Sequence, residues 1–146
     1  MQGKTVLVTG GNTGIGKHTV IGLAKLGAKV VFTSRNQRKG DVARAEIREA
    51  VGSQAVDFMT LDLADFASIE RFAAEFLRKH ERLDVLVLNA GLILSERTTT
   101  KQGFETTLGV NHLGHMLLTE LLLERLKAST PARIVVVSSD AHRGAR

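Results

Sequence analysis

Short apolar runs alternate with longer segments whose apolar residues recur every three or four positions, from Thr5 to Val137. The first run, Thr5–Thr9, is β-rich and stops at Gly10-Gly11. From Gly14 the period becomes helical, with Val20, Leu23, Ala24 and Gly27 on one face. Lys29–Ser34 predicts a second strand, closed by Arg35-Asn36-Gln37. Ala43, Ile47, Ala50 and Val51 then mark the inner face of a second helix. Ala55–Leu61 predicts a third strand. Asp65 is a candidate N-cap for a third helix, whose apolar positions Phe66, Ile69, Phe72, Ala73, Phe76 and Leu77 keep the cleanest period in the chain.

Asp84–Leu88 predicts a fourth strand entering Asn89-Ala90-Gly91, and a Thr-rich loop leads to a long helix from about Lys101 to Lys127. Val110, Leu113, Leu117 and Leu121 form one apolar stripe on it, Leu118 and Leu122 another, the pattern of a buried or partnered helix. Ala132–Val137 predicts a fifth strand, β-branched from Ile134 to Val137, followed by Ser138-Ser139 and a basic tail. Near-continuous apolar strands separated by helices predict an α/β fold with both faces of a parallel sheet covered. Right-handed crossovers make it doubly wound, in order 3-2-1-4-5. Ligands of such sheets sit at the strands' carboxyl ends, and every polar cluster named above falls at one.

At 146 residues and 43% apolar side chains, one cored domain spanning residues 1–146 is expected. Zero cysteines exclude a disulfide framework, a thiolate metal site and a thiol nucleophile. Trp and Tyr are absent and the six Phe are scattered, which argues against a stacking platform for nucleic acid. The net charge of +5 reads as a mildly basic soluble surface rather than a nucleic-acid face. No apolar run approaches the ~20 residues of a membrane span, and the N-terminus shows no secretory apolar region, so a cytoplasmic protein is expected. His112 and His115 stand at i, i+3, but two imidazoles without a carboxylate make an incomplete metal site. They are read as packing and capping residues, and no metal is expected.

The turn Thr9-Gly10-Gly11-Asn12-Thr13-Gly14-Ile15-Gly16 joins the first strand to the first helix. Glycines there allow positive φ and close backbone approach, and a helix N-terminus offers unpaired N–H groups to a pyrophosphate. A glycine turn fixed between a strand and an amphipathic helix points to a dinucleotide. Gly11 to Lys17 also fits the first seven positions of a triphosphate P-loop. His18 stands where that loop needs Ser or Thr for magnesium, and the fourth strand ends in Asn89 rather than an acid, so this reading fails twice. The second strand ends in Ser34-Arg35-Asn36, with Arg38 and Lys39 following, where a ribose-binding carboxylate would otherwise stand. A guanidinium there suits a 2′-phosphate, so the expected cofactor is NADP(H) rather than NAD(H).

Together these residues resemble the short-chain dehydrogenase/reductase family, a Rossmann-fold family. The matching elements are Thr9-Gly10-x-x-x-Gly14-x-Gly16, Asp62-Leu63, Asn89-Ala90-Gly91, Asn111 and Ser138-Ser139, in the family's order along nearly the whole chain. Ser34-Arg35-Asn36 and Asn111-His112-Leu113-Gly114-His115 are similar to its retinol-dehydrogenase-like, NADP-dependent branch. The resemblance implies a pyrophosphate cradle at Gly10, Gly14 and Gly16, with Asn12, Thr13 and Ile15 in the same turn. It implies Arg35 on the 2′-phosphate, Asp62 and Leu63 beside the adenine, and Asn89, Ala90 and Gly91 under the ribose. It further implies Ser139 as the hydroxyl on a substrate carbonyl oxygen and Asn111 as the helix break that seats a relay water. The substrate would be a small carbonyl or alcohol compound.

The family's general acid/base is a Tyr followed four residues later by a Lys. No Tyr occurs in these 146 residues, so the chain is expected to be truncated before the later strands and inactive alone. A dinucleotide-binding or structural module without turnover is the alternative reading. The long helix and the edge of the fifth strand are expected to drive homo-oligomerisation.

Overall fold

A computed structural model describes residues 1–140. Its sheet has five parallel strands, β1 (Thr5–Val8), β2 (Lys29–Ser34), β3 (Val56–Thr60), β4 (Val85–Leu88) and β5 (Arg133–Val136), in the order β3-β2-β1-β4-β5. The helices α1 (Gly14–Lys25), α2 (Gln37–Val51) and α3 (Phe66–Lys79) follow β1, β2 and β3 in turn. After β4 come α4 (Thr106–Leu108), a π-helical turn (Gly109–Leu113) and α5 (Gly114–Ala128). No helix among the described residues is long and apolar enough to cross a membrane. The basic tail expected after Ser139 lies, from residue 141 on, outside the described residues.

Strand periodicity divides the core into two layers. Leu7, Val31, Leu86 and Leu88 point to the face covered by Ile69, Phe72 and Phe76 of α3 and Leu118, Leu122 and Leu126 of α5. Val6, Val8, Val30, Phe32 and Val87 point to the other face, under Val20 and Ala24 of α1 and Ala43 and Ile47 of α2. Asp65 caps α3, accepting the Ala67 N–H as the sequence predicts. Asn36 caps α2 in the same way through the Lys39 N–H.

Several local expectations are corrected. Ala50 is exposed, and Gly27 lies beyond the end of α1 at φ +86°. The long helix starts at Thr106 rather than Lys101, because Gly103 turns the chain at φ +83° and a bridge pairs Thr99 with Glu105. Glu105 then caps α4 by accepting the Thr107 and Leu108 N–H groups. Val110, Leu118 and Leu122 are buried as expected, joined by His115 and Leu126, whereas Leu121 of the Val110 stripe is exposed. His112 is exposed while His115 is buried, so the two do not face one another. Among the described residues no group of ligands could hold a metal ion.

At the amino-terminal end of the sheet, Asp84 is 1% exposed and enters β4 beside β1. Its carboxylate accepts from Arg82 at 2.8 Å, Lys4 Nζ at 3.0 Å and the Thr5 N–H at 2.9 Å. The Arg82 hydrogen bond is the largest cause that holds its pKa well below the usual carboxylate range, against the opposing effect of burial. A depressed carboxylate pKa contributes stability that is present above the unfolded value of about 3.9 and lost as pH falls below it. Asp84→Ala strands the Thr5 N–H and is expected to cost about 2–4 kcal/mol in denaturant unfolding at pH 7. The gap between wild type and variant should narrow as the pH is lowered below the carboxylate range.

Candidate functional site

At the carboxyl ends of β1, β2 and β4 the turn from Thr9 to Gly16 is held from both sides. Gly10 N–H donates to Thr33 Oγ1 and Gly11 N–H to the Thr33 carbonyl, each at 3.1 Å. On the other side, Asn89 Nδ2 donates to the Thr9 carbonyl at 2.9 Å and the Gly10 carbonyl at 3.3 Å. Gly10 has φ +66°, and a Cβ there would sit 3.0 Å from Ala90. A Cβ on Gly16 would overlap the Gly10 carbonyl oxygen and stand 2.5 Å from Asn89 Nδ2. Only glycine lets the start of α1 come this close to the end of β4.

The start of α1 differs from those of α2 and α3. Thr13 at its N-cap makes no side-chain hydrogen bond to the helix, whereas Asn36 and Asp65 cap α2 and α3. The backbone N–H groups and the positive end of the helix dipole are therefore available to an anion. They lie beside a cleft of about 500 Å³. Gly10, Asn12, Thr13, Ile15 and Gly16 line one wall, and Asn89, Ala90 and Gly91 line another. Arg35 stands exposed at the end of β2, and Leu63, 5% exposed, also lines the cleft. These ten predicted residues converge. Thr33, Leu61, Leu92 and Val110 also line the cleft, as do Ser34 and Asn36, which flank Arg35 in the motif at the end of β2. Lys39, noted beforehand only as part of the basic run, joins them.

Beneath the cleft the Thr9 hydroxyl joins three elements. Oγ1 lies 2.9 Å from the Asn89 N–H, 3.0 Å from the Ala90 N–H and 2.9 Å from His115 Nε2. His115 Nδ1 is 3.2 Å from the Asn111 carbonyl oxygen. The ring is 5% exposed, and burial lowers its pKa, with the neighbouring His112 acting in the same direction. Asn111 itself sits in the π turn. Its Nδ2 donates to the Leu92 carbonyl and its Oδ1 accepts the Leu92 N–H, both at 2.9 Å.

Residues 4–145 match the sequence signature of the short chain dehydrogenase family. The chain belongs to that family. It is 51% identical over 142 residues to Retinol dehydrogenase 12 of Homo sapiens, covering 97% of this chain and 45% of the relative. With Retinol dehydrogenase 13 of Homo sapiens the identity is 49% over 142 residues, covering 97% of this chain and 43% of the relative. A short chain dehydrogenase of Escherichia coli CFT073 solved in complex with NADPH superposes with a TM-score of 0.85 at 29% identity, covering 100% of this chain and 62% of that one. The chain thus spans less than half the length of these curated relatives.

Within this short-chain dehydrogenase framework, four predicted residues are placed apart from the cleft walls. Gly14, at φ +53°, turns toward a neighbouring groove between α1 and α2. Asp62 uses its Oδ1 to accept the Ala64 N–H at 2.9 Å, closing its own turn rather than lining the cleft. Asn111 is exposed and does not line the cleft itself; its side chain grips Leu92, which does. Ser139 follows β5 in an exposed segment. The sequence predicts a packing or capping role for His115 and no more, because its partner Thr9 lies 106 residues away and no local pattern announces the pair.

The tight fit at Gly16 gives the site a direct test. Gly16→Ala is expected to cost about 1–3 kcal/mol of stability, as overpacking does. It should also weaken dinucleotide binding at temperatures where the variant is still folded, as measured by calorimetric titration.

Proposed function

We propose that the protein binds NADP(H) in preference to NAD(H), as the cofactor portion of an oxidoreductase that moves hydride between the nicotinamide and a carbonyl or alcohol substrate. The observation that carries the preference is the end of β2, where Ser34-Arg35-Asn36 supplies a guanidinium and no carboxylate. Ser34 Oγ donates to the Asn36 carbonyl at 3.1 Å, and Asn36 caps α2, so the backbone on both sides of Arg35 is fixed. Lys39 stands on the same cleft. A guanidinium fork binds a 2′-phosphate strongly, whereas a carboxylate there would repel it.

The remaining residues fit a dinucleotide. The uncapped start of α1 and the backbone amides around Gly10 face where a pyrophosphate would lie, and the space that Cβ atoms at Gly10 and Gly16 would fill is kept clear. Leu61 and Leu63 offer an apolar surface to the adenine, and Asn89 to Gly91 form the floor under the ribose. When bound, the cofactor supplies the hydride chemistry, and the protein supplies binding and orientation. In this proposal Ser139 donates to the substrate oxygen and Asn111 keeps its turn in register with Leu92. The names of the retinol dehydrogenase relatives support an alcohol or carbonyl substrate. A cytoplasmic location belongs to the same reading. With no Tyr in the sequence, binding without turnover is the outcome expected of residues 1–146 alone.

The preference is checked by titrating NADPH and NADH into wild type and Arg35→Asp. Wild type should favour NADPH by on the order of tenfold or more, and the variant should lose that discrimination. Equal affinities in wild type would contradict the assignment. The proposal also includes self-association through β5, because Ile134 and Val135 are 44% exposed and Val136 66%, on a strand that among the described residues pairs with β4 alone. Sedimentation of residues 1–146 at tens of micromolar should show species larger than a monomer, and a clean monomer would count against it.

A further inference from the structure

We infer that His115 is a positioning residue for the cofactor floor: as a neutral ring carrying its proton on Nδ1, it takes the Thr9 hydroxyl hydrogen on Nε2 and so fixes the Asn89 and Ala90 amides beneath the cleft. This rests on the dinucleotide reading of the site and extends it to a residue outside the cleft lining.

The assignment follows from counting donors and acceptors. Backbone amides only donate, so Thr9 Oγ1 must accept from both Asn89 N, at 2.9 Å, and Ala90 N, at 3.0 Å. Both lone pairs of the hydroxyl are then used, and its hydrogen remains to be placed. A carbonyl oxygen only accepts, so the contact of His115 Nδ1 with the Asn111 carbonyl at 3.2 Å puts the ring proton on Nδ1. Nε2 of the neutral ring is consequently a bare acceptor, 2.9 Å from Thr9 Oγ1. The competing acceptor, the Val87 carbonyl, is farther away at 3.4 Å. Every donor and acceptor in the cluster is satisfied in this one arrangement. An Nε2-protonated ring would present a hydrogen to a hydroxyl with no lone pair free.

The consequence reaches the cofactor site from behind. Asn89 and Ala90 are held through Thr9, and Leu92 is held two-way by Asn111 in the turn that also supplies the Nδ1 acceptor. His115 therefore ties α5 and the π turn to the strand ends on which the dinucleotide would lie. Removing the acceptor while keeping the volume frees the Thr9 hydroxyl to turn toward Val87 and loosens its hold on the two amides.

The test compares wild type, His115→Leu and His115→Gln at a temperature where circular dichroism shows all three folded. Gln is chosen because its Oε1 can stand near the position of Nε2 and accept the same hydrogen. NADPH affinity should fall roughly 2- to 10-fold in His115→Leu, the effect of one net hydrogen bond, and recover to within about 2-fold in His115→Gln. Long-range nitrogen–proton NMR of the unliganded wild type should show a neutral ring protonated at Nδ1. An Nε2-protonated or charged ring at neutral pH overturns the inference, and so does a Leu variant that melts earlier yet binds NADPH as wild type does. If wild type itself fails to bind NADPH, the cofactor reading falls, while the NMR tautomer still decides how His115 and Thr9 are joined. Should the Leu variant not fold, the Gln variant and the tautomer remain decisive.

Discussion

A strand-to-helix turn can lie against the end of a neighbouring strand only where no side chain stands between them. At Gly16 that condition is met with no room to spare, since the Gly10 carbonyl and the Asn89 amide already occupy the space a methyl group would need. The start of α1 is thereby brought over the gap between β1 and β4, where the chain reverses its direction of travel across the sheet. That gap is where doubly wound sheets place their ligands. The cleft's position follows from topology, and its depth follows from the missing Cβ.

The two ends of the sheet divide the work. At the amino-terminal end, a buried carboxylate joined to Lys4, Arg82 and the Thr5 amide fastens β4 to β1. At the carboxyl end, the same two strands are joined by Thr9 and Asn89, but here the joining groups leave backbone amides and a guanidinium facing an open cleft. The apolar residues between them are buried on both faces. A rigid middle of this kind lets the open end hold a fixed shape, which an anion-binding site made of backbone groups requires.

The five strands and their order were legible because each is a short apolar run; β1 and β4 lie inside the sheet with their apolar side chains buried, and β5, though exposed, carries the same β-branched signal. The caps at Asp65 and the turn at Gly10 to Gly16 were legible because they depend on residues adjacent in sequence. Features that depend on distant partners were not. The Leu118 and Leu122 stripe of α5 is buried as its period predicts, but the π turn between Gly109 and Leu113 is a wider step that a uniform helical period cannot foresee. His115 acquired its role from Thr9, 106 residues away, whereas Asp62 is a local case: its carboxylate accepts the Ala64 N–H and closes its own turn instead of lining the cleft. Ten of the expected site residues line one cleft because a strand end carries its polar cluster wherever the strand goes.

The central claim is that the amides of the first crossover hold a diphosphate while Arg35 holds one further phosphoryl group. The most direct measurement is a crystal structure of the protein soaked in NADPH. The account predicts the pyrophosphate against Gly10 to Gly16, the 2′-phosphate within hydrogen-bond reach of the Arg35 guanidinium, and the ribose over Asn89 to Gly91. A coenzyme bound elsewhere, or seated there with its 2′-phosphate turned away from Arg35, would contradict it.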